Sequence, residues 1–226
     1  MFVLSKKEYL RRYIYFIFGL YVISLGIALS VQSGLGVSPI SSIPRALNVA
    51  FPAITLGQMT MIIQAIYLVI EICILRKNFK PFDLLQMVIV VIFGYFIDFN
   101  VFLLSWCEPE IYACKWILMI LSIVITAFGI PFEVRASVLI LPVDGLLATV
   151  AEVMHVDFGK VKVIFDSIFV AITVIFSLTY LHQLAGVREG TIASAIFVGM
   201  VSRFIVKKME PFYKKIGLVP IPKIKK

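Results

Sequence analysis

Runs of about 20 apolar residues recur along the chain, and each is long enough to cross a hydrocarbon core of about 30 Å as a helix. Six can be drawn, at 13–31, 56–75, 84–105, 116–134, 163–182 and 190–206. In lipid every backbone polar group must be satisfied internally, which leaves helices or closed barrels. The apolar-polar alternation of a membrane barrel is missing. The fold expected is therefore all-α and polytopic. Charged residues make up 15% of the chain, below the ~25% typical of a soluble domain. No stretch is long and polar enough to form a separate soluble domain.

The distribution of charge sets orientation and removes one class of partner. The net charge is +8. Lys6, Lys7, Arg11 and Arg12 precede the first span, Arg76, Lys77 and Lys80 separate the second from the third, Lys160 and Lys162 precede the fifth, and Lys207 and Lys208 follow the sixth. All lie on one side if both termini face the cytoplasm, while only Arg45, Lys115 and Arg188 fall opposite. The tail "KKMEPFYKKIGLVPIPKIKK", 207–226, then reads as a basic segment on anionic headgroups rather than a nucleic-acid arm. The start of the chain, basic and then apolar, has the form of a signal peptide, and Ala28-Leu29-Ser30 has the form of a cleavage site. The run is span-length, however, and it supplies the first span of a repeat, so an uncleaved anchor is expected.

Two segments, 32–55 and 135–160, fit neither span nor simple loop. Each is moderately apolar and carries Pro and Gly, and connections this long usually have a role. They are related. Gly26 aligns with Gly129, Ile27 with Ile130, Val31 with Val134 and Pro39 with Pro142 at one offset. One residue of slippage aligns Gly57 with Gly159 and Gln64 with Asp166; further slippage aligns Gly94 with Gly199 and Phe99 with Phe204. Two blocks of three spans follow: 13–105 with a re-entrant 32–55, and 116–206 with a re-entrant 135–160. They are joined by an external loop 106–115 and flanked by a basic N-terminus, 1–12, and the tail. An odd number of spans per block makes the repeats inverted. The two pauses are then expected to enter from opposite sides and to meet at mid-membrane.

The residue types suit a solute site. Pro39 and Pro142 interrupt a helical ladder, and Gly34, Gly36 and Gly145 permit close approach. Ser38, Ser41 and Ser42 add neutral hydroxyls, and Ser41 can cap the segment that follows. Asp144 reads either as the cap of "GLLATVAEVM" or as a charged contact to a cation or proton. Charges within spans are costly unless paired or wet. Asp98 and Asp166, with Gln64 as the repeat partner of Asp166, are candidates for coupling to a proton or ion, and equally for satisfied structural contacts. Arg203, at the place equivalent to Asp98, reads as an interfacial anchor. Glu71 reads as structural, within reach of Arg76 and Lys77. Glu133 and Arg135 read as a mutual pair, Cys73 as packing, and Cys107 and Cys114 as free thiols in an outer loop where a disulfide could also survive.

No Walker motif, dinucleotide fingerprint, H-E-x-x-H or G-x-S-x-G occurs. No enzyme activity, cofactor or metal is expected. The isolated His155 and His182 read as interfacial polar residues.

"LGIALSVQSGLGVSP" at 25–39, "PVDGL" at 142–146 and "GVREGTIASAIFVGMVSRF" at 186–204 resemble the YczE/YyaS/YitT group of small bacterial integral membrane proteins, over roughly residues 13–206. That group carries an acidic residue shortly after the first Pro; here Ser41 or a neighbour stands there, and Asp144 keeps the acidic position only in the second half. The first-half counterpart of "EGTIASAIFVG" is eroded to "LLQMVIVVIFG". The resemblance implies a bacterial cytoplasmic membrane protein, linked in some hosts to secondary-metabolite production.

The functions in view are a small-solute permease working by alternating access, a membrane accessory or scaffold for a biosynthetic pathway, and the substrate-binding subunit of a larger uptake system. The partners expected are the lipid bilayer, a small solute, and a second copy of the chain if small residues such as Gly19 and Gly26 serve association. In the permease reading Gly36, Ser38, Pro39, Ser41, Pro142, Asp144 and Gly145 line the solute.

Overall fold

The computed structural model describes residues 6–76, 79 and 81–218, and its regular elements are all helical. Eight α-helices follow in order: α1 Lys6–Ser33, α2 Pro39–Ala50, α3 Leu56–Leu75, α4 Gln86–Leu103, α5 Tyr112–Ala136, α6 Pro142–Val153, α7 Phe158–Phe176 and α8 Glu189–Lys215. A 3-10 turn, Pro81–Leu85, leads into α4, and a π turn, Ser177–Leu181, ends α7. Six helices, all but α2 and α6, are long and apolar enough to span a membrane. The chain is an integral membrane protein by this measure. Four of the expected spans sit inside these helices; the third, 84–105, and the fifth, 163–182, run past the ends of α4 at Leu103 and of α7 at Phe176. The fifth begins earlier than expected, at Phe158, because Asp157 accepts from the N–H groups of Gly159 (2.9 Å) and Lys160 (3.3 Å) and so starts the helix ahead of its two lysines.

Local chemistry accounts for the short helices. Pro39 and Pro142 each stand in the first turn, where a missing N–H costs nothing and a fixed φ favours the helix. Helix α2 therefore starts at Pro39, with Ser38 as N-cap and Ser41 inside the first turn. Helix α6 starts at Pro142, with Leu141 as N-cap. This corrects the capping roles expected for Ser41 and Asp144. Asp144 lies instead in the first turn of α6, where its charge favours the helix dipole. A capping box opens α3: Gln58 N donates to Thr55 Oγ1 (3.1 Å) and Thr55 N to Gln58 Oε1 (3.0 Å).

The core forms around an antiparallel pair, α1 and α5. Gly19 faces Gly129 and Gly26 faces Ser122 and Thr126. A Cβ on Gly129 would sit 2.9 Å from Gly19 O, and Ser122 Oγ donates to Gly26 O at 2.7 Å. Small residues let the backbones touch, as in close-packed membrane helices. Gly19 and Gly26 are thus occupied inside the chain. Helix α4 packs on α1, α8 on α5, α2 on α7 and α3 on α6.

The stretch after the sixth expected span is not a loose tail. Helix α8 runs on to Lys215, and Tyr213 and Leu218 are fully buried. Arg12, 4% exposed, donates through Nη1 to Arg135 O (3.3 Å) and Ala136 O (3.1 Å), the last carbonyls of α5, and through Nη2 to Gly217 O (3.4 Å). Arg135 pairs with Glu210 and lies over the Tyr213 ring, so the expected Glu133–Arg135 pair gives way to this one. Lys77, Lys80 and residues 219–226, used above for orientation, lie outside the described residues. All three cysteines are free, and Cys73 is exposed on α3 rather than packed.

Candidate functional site

Helix α3 presents Gln64, Tyr67 and Glu71 along one stripe, three and four residues apart. All three are buried. Gln64 Oε1 accepts from Val143 N at 3.0 Å, which satisfies an otherwise orphaned donor in the first turn of α6. Helix α6 therefore begins beside the ninth residue of a 20-residue span, far from either end of it. Glu71 is 5% exposed and turns to α6, where Thr149 Oγ1 donates to its Oε1 at 3.3 Å. Its carboxylate leaves no room for a side chain at Gly145, since a Cβ there would lie 2.9 Å from Oε2. Lys77, one of the two basic residues expected near Glu71, lies outside the described residues. Tyr67 stacks near Phe169 of α7 with ring centres 5.4 Å apart, and its buried hydroxyl has no hydrogen-bond partner among the described residues.

Helix α7 supplies the opposing wall. Asp166 pairs with Lys162 at 3.2 Å. Both lie within electrostatic range of Asp144, which in turn lies within range of buried Glu133. Three carboxylates and one ammonium thus lie in successive electrostatic range, from Glu133 of α5 through Asp144 of α6 to Asp166 and Lys162 of α7, although among the described residues no group of acids, histidines and cysteines could hold a metal ion. Higher on α7, Thr173 Oγ1 and Ser42 Oγ of α2 are 2.8 Å apart, both buried. Thr173 has already donated to Phe169 O at 2.7 Å, and Ser42 to Pro39 O at 2.7 Å.

The first pause builds a second polar patch. Ser38 Oγ donates to Ser41 Oγ at 3.2 Å. Ser38 lines a cavity of about 10 Å³ with Ser30, Ser122, Thr126 and Ser194, closed by Ile27, Met119 and Val198. This space suits about one water or one small ion. Ser30, Ser122 and Ser194 donate to backbone carbonyls of Ile27, Gly26 and Thr191, so their oxygens are left as acceptors toward the cavity. Gly36, at φ +96°, turns the chain against α8: a Cβ would meet Thr191 Oγ1 and lie 2.7 Å from Arg188 N.

The expected site residues fall into three groups. Pro142, Asp144, Gly145, Gln64 and Asp166 lie together around the start of α6. Pro39, Ser38, Ser41 and Gly36 gather around the start of α2. Asp98 stands apart. Its carboxylate accepts from Thr55 Oγ1 (2.6 Å) and Gly57 N (2.7 Å), which ties α4 to the start of α3. Arg203 is exposed and donates through Nε only to its own helix, to Gly199 O at 3.2 Å. Tyr67, Lys162, Thr149 and Thr173 were not singled out in the sequence.

Residues 10–207 match the model of a family described as "Family of unknown function (DUF6198)". Two relatives come from Bacillus subtilis (strain 168). The chain is 28% identical to "Uncharacterized membrane protein YczE" over 200 residues, which cover 88% of this chain and 87% of that one. It is 25% identical to "Uncharacterized protein YyaS" over 207 residues, 89% of this chain and 100% of that one. No solved structure matches the chain. With most of its length matched, this six-span protein belongs to the DUF6198 family and is a homologue of the membrane protein YczE.

Proposed function

We propose that the chain is a small-solute permease of the bacterial cell membrane, with both termini cytoplasmic, working by alternating access between two inverted repeats. The observation that carries this reading is the meeting of the first turn of α6 with Gln64, midway along a spanning helix. Non-helical backbone at such a depth is tolerated where it is buried in protein or lines a cavity. Half-inserted helices whose first turns point inward are a recurrent way to build a solute site.

A set of exchangeable contacts supports the repeat. Replace each residue by its counterpart, and the Gly26–Ser122 contact becomes Gly129–Gly19. Likewise Ser42 against Thr173 becomes Gly145 against Glu71. At the level of helices, α1 on α4 exchanges with α5 on α8, and α2 on α7 with α6 on α3. The solute site would lie between the starts of α2 and α6. Gly36, Ser38, Pro39 and Ser41 would line it from one side, Pro142, Asp144 and Gly145 from the other, with Gln64, Tyr67 and Asp166 on the walls. A donor-bearing small solute fits a site whose free groups are carboxylates and hydroxyl lone pairs. The exposed apolar faces of α3, α7 and α8 would meet lipid.

The test is uptake into proteoliposomes across a broad panel of small polar solutes, cationic ones included. Uptake of at least one solute, abolished in Asp144→Asn, is expected. No uptake of any solute, or uptake untouched by Asp144→Asn, would remove the reading and leave the accessory role.

A further inference from the structure

The two halves of the molecule differ at one place where their sequences agree. In the first half α3 and α4 close on a glycine seam. A Cβ on Gly57 would collide with Gly94 O, and one on Gly94 would lie 2.9 Å from Gly57 O. Asp98, one turn on from Gly94, locks this seam to Thr55 and Gly57 at the start of α3. The counterparts in the second half are Asp157 for Thr55, Gly159 for Gly57, Gly199 for Gly94 and Arg203 for Asp98. Among the described residues none of them is engaged across helices. A Cβ on Gly199 would meet nothing within 4 Å, and one on Gly159 would meet only the Asp157 carboxylate of its own helix start. Arg203 bonds to its own helix, and the Asp157 carboxylate to its own first turn.

The two seams lie at opposite ends of the molecule. The start of α3 is at the end where α1 finishes, since Gln32 Nε2 reaches Val101 O near the end of α4 at 3.3 Å. The start of α7 follows α6 at the other end. The α1 exit is also stitched to α8: Val37 N donates to Gly186 O (3.1 Å), Gly190 N to Leu35 O (2.9 Å) and Arg188 Nη1 to Gly34 O (3.0 Å).

We propose that α7 closes onto α8 along Gly159 and Gly199, and that Arg203 then pairs with Asp157 as the charged counterpart of the Asp98–Thr55 lock. The state described here is sealed at the α3–α4 end and parted at the α7–α8 end. Closure of α7 on α8 is the complementary state that access from the other side requires, so the inference rests on the permease reading. The chemistry of the lock explains why the equivalents differ in type. On α3 a hydroxyl cap meets a carboxylate; on α7 a carboxylate cap needs a donor, and a cation is the strongest one. Arg203 is the residue at that height on α8.

The experiment is disulfide trapping in native membranes. Cys73, Cys107 and Cys114 are changed to Ser, and Gly159→Cys and Gly199→Cys are introduced. Both sites accept a Cβ, the first with a swing of the flexible Asp157 carboxylate. Mild oxidation should bridge the pair within one chain, so that a polyethylene-glycol maleimide adds no tags where it otherwise adds two. Arg203→Glu should cut the bridged fraction about tenfold, because reversal turns attraction to the Asp157 carboxylate into repulsion. Arg203→Lys should keep it. No bridging, bridging only between chains, or bridging indifferent to Arg203→Glu would each overturn the proposal. The readout needs no solute, so it can fail while uptake succeeds, or succeed while uptake fails.

Discussion

Substituting alanine for Gly94 and, separately, for Gly199 isolates the energy of a single helix seam. Both glycines lie inside spanning helices. Each change gains the same intrinsic helix preference, about 1 kcal/mol. Their surroundings differ. At Gly94 the new methyl meets Met61, with Cγ at 2.7 Å, and the backbone oxygen of Gly57 at 2.9 Å. Met61 can move, but the Gly57 carbonyl cannot without shifting α3 and lengthening the Asp98 bonds. Overpacking of this kind costs roughly 1–3 kcal/mol. At Gly199 the methyl meets nothing within 4 Å. Gly199→Ala should therefore be neutral to about 1 kcal/mol more stable than the parent. Gly94→Ala should range from neutral to about 2 kcal/mol less stable, the overpacking cost set against the helix gain. Because the helix term is shared, the difference between the variants, about 1–3 kcal/mol, reports the seam alone. Unfolding in mixed lipid–detergent micelles, followed by circular dichroism against denaturing detergent, measures it. Equal effects at the two positions would refute the asymmetry between α3–α4 and α7–α8.

Other outcomes follow from the hydrogen bonds. Gln64→Leu leaves Val143 N buried without its acceptor and should cost about 1–3 kcal/mol in the same unfolding assay, with Gln64→Glu retaining most of it. Asp98→Ala removes two bonds to a carboxylate, each worth roughly 1.5–3 kcal/mol, and should loosen the start of α3, seen as faster amide exchange at Gly57 and Gln58. Arg12→Leu releases the end of α8 from the last carbonyls of α5; protease cleavage between residues 207 and 218 should then become readily detectable. Gly36→Ala places a methyl at φ +96° against Thr191 and Arg188, and should lower the yield of folded protein more than Gly34→Ala, since Gly34 has open space around it.

Span count, helical class and the two interrupted segments were legible in the order of residues because each depends on local properties. A 20-residue apolar run and a proline that cannot donate act within a few turns of chain. Gly26, Pro39 and Gly57 recur as Gly129, Pro142 and Gly159 in the order of residues. Partner choice was not legible. Arg135 could have met Glu133 or Glu210. Glu210, 75 positions away, won, because burial makes an unpaired charge expensive wherever its partner lies in the chain. The capping roles were misread because Pro39 and Pro142 begin the helices themselves, which moves Ser41 and Asp144 into the first turn. Only the assembled bundle decided that Gly57 and Gly94 touch while Gly159 and Gly199 do not. Matching residue types make both seams available, and which one is closed is a property of how eight helices pack together.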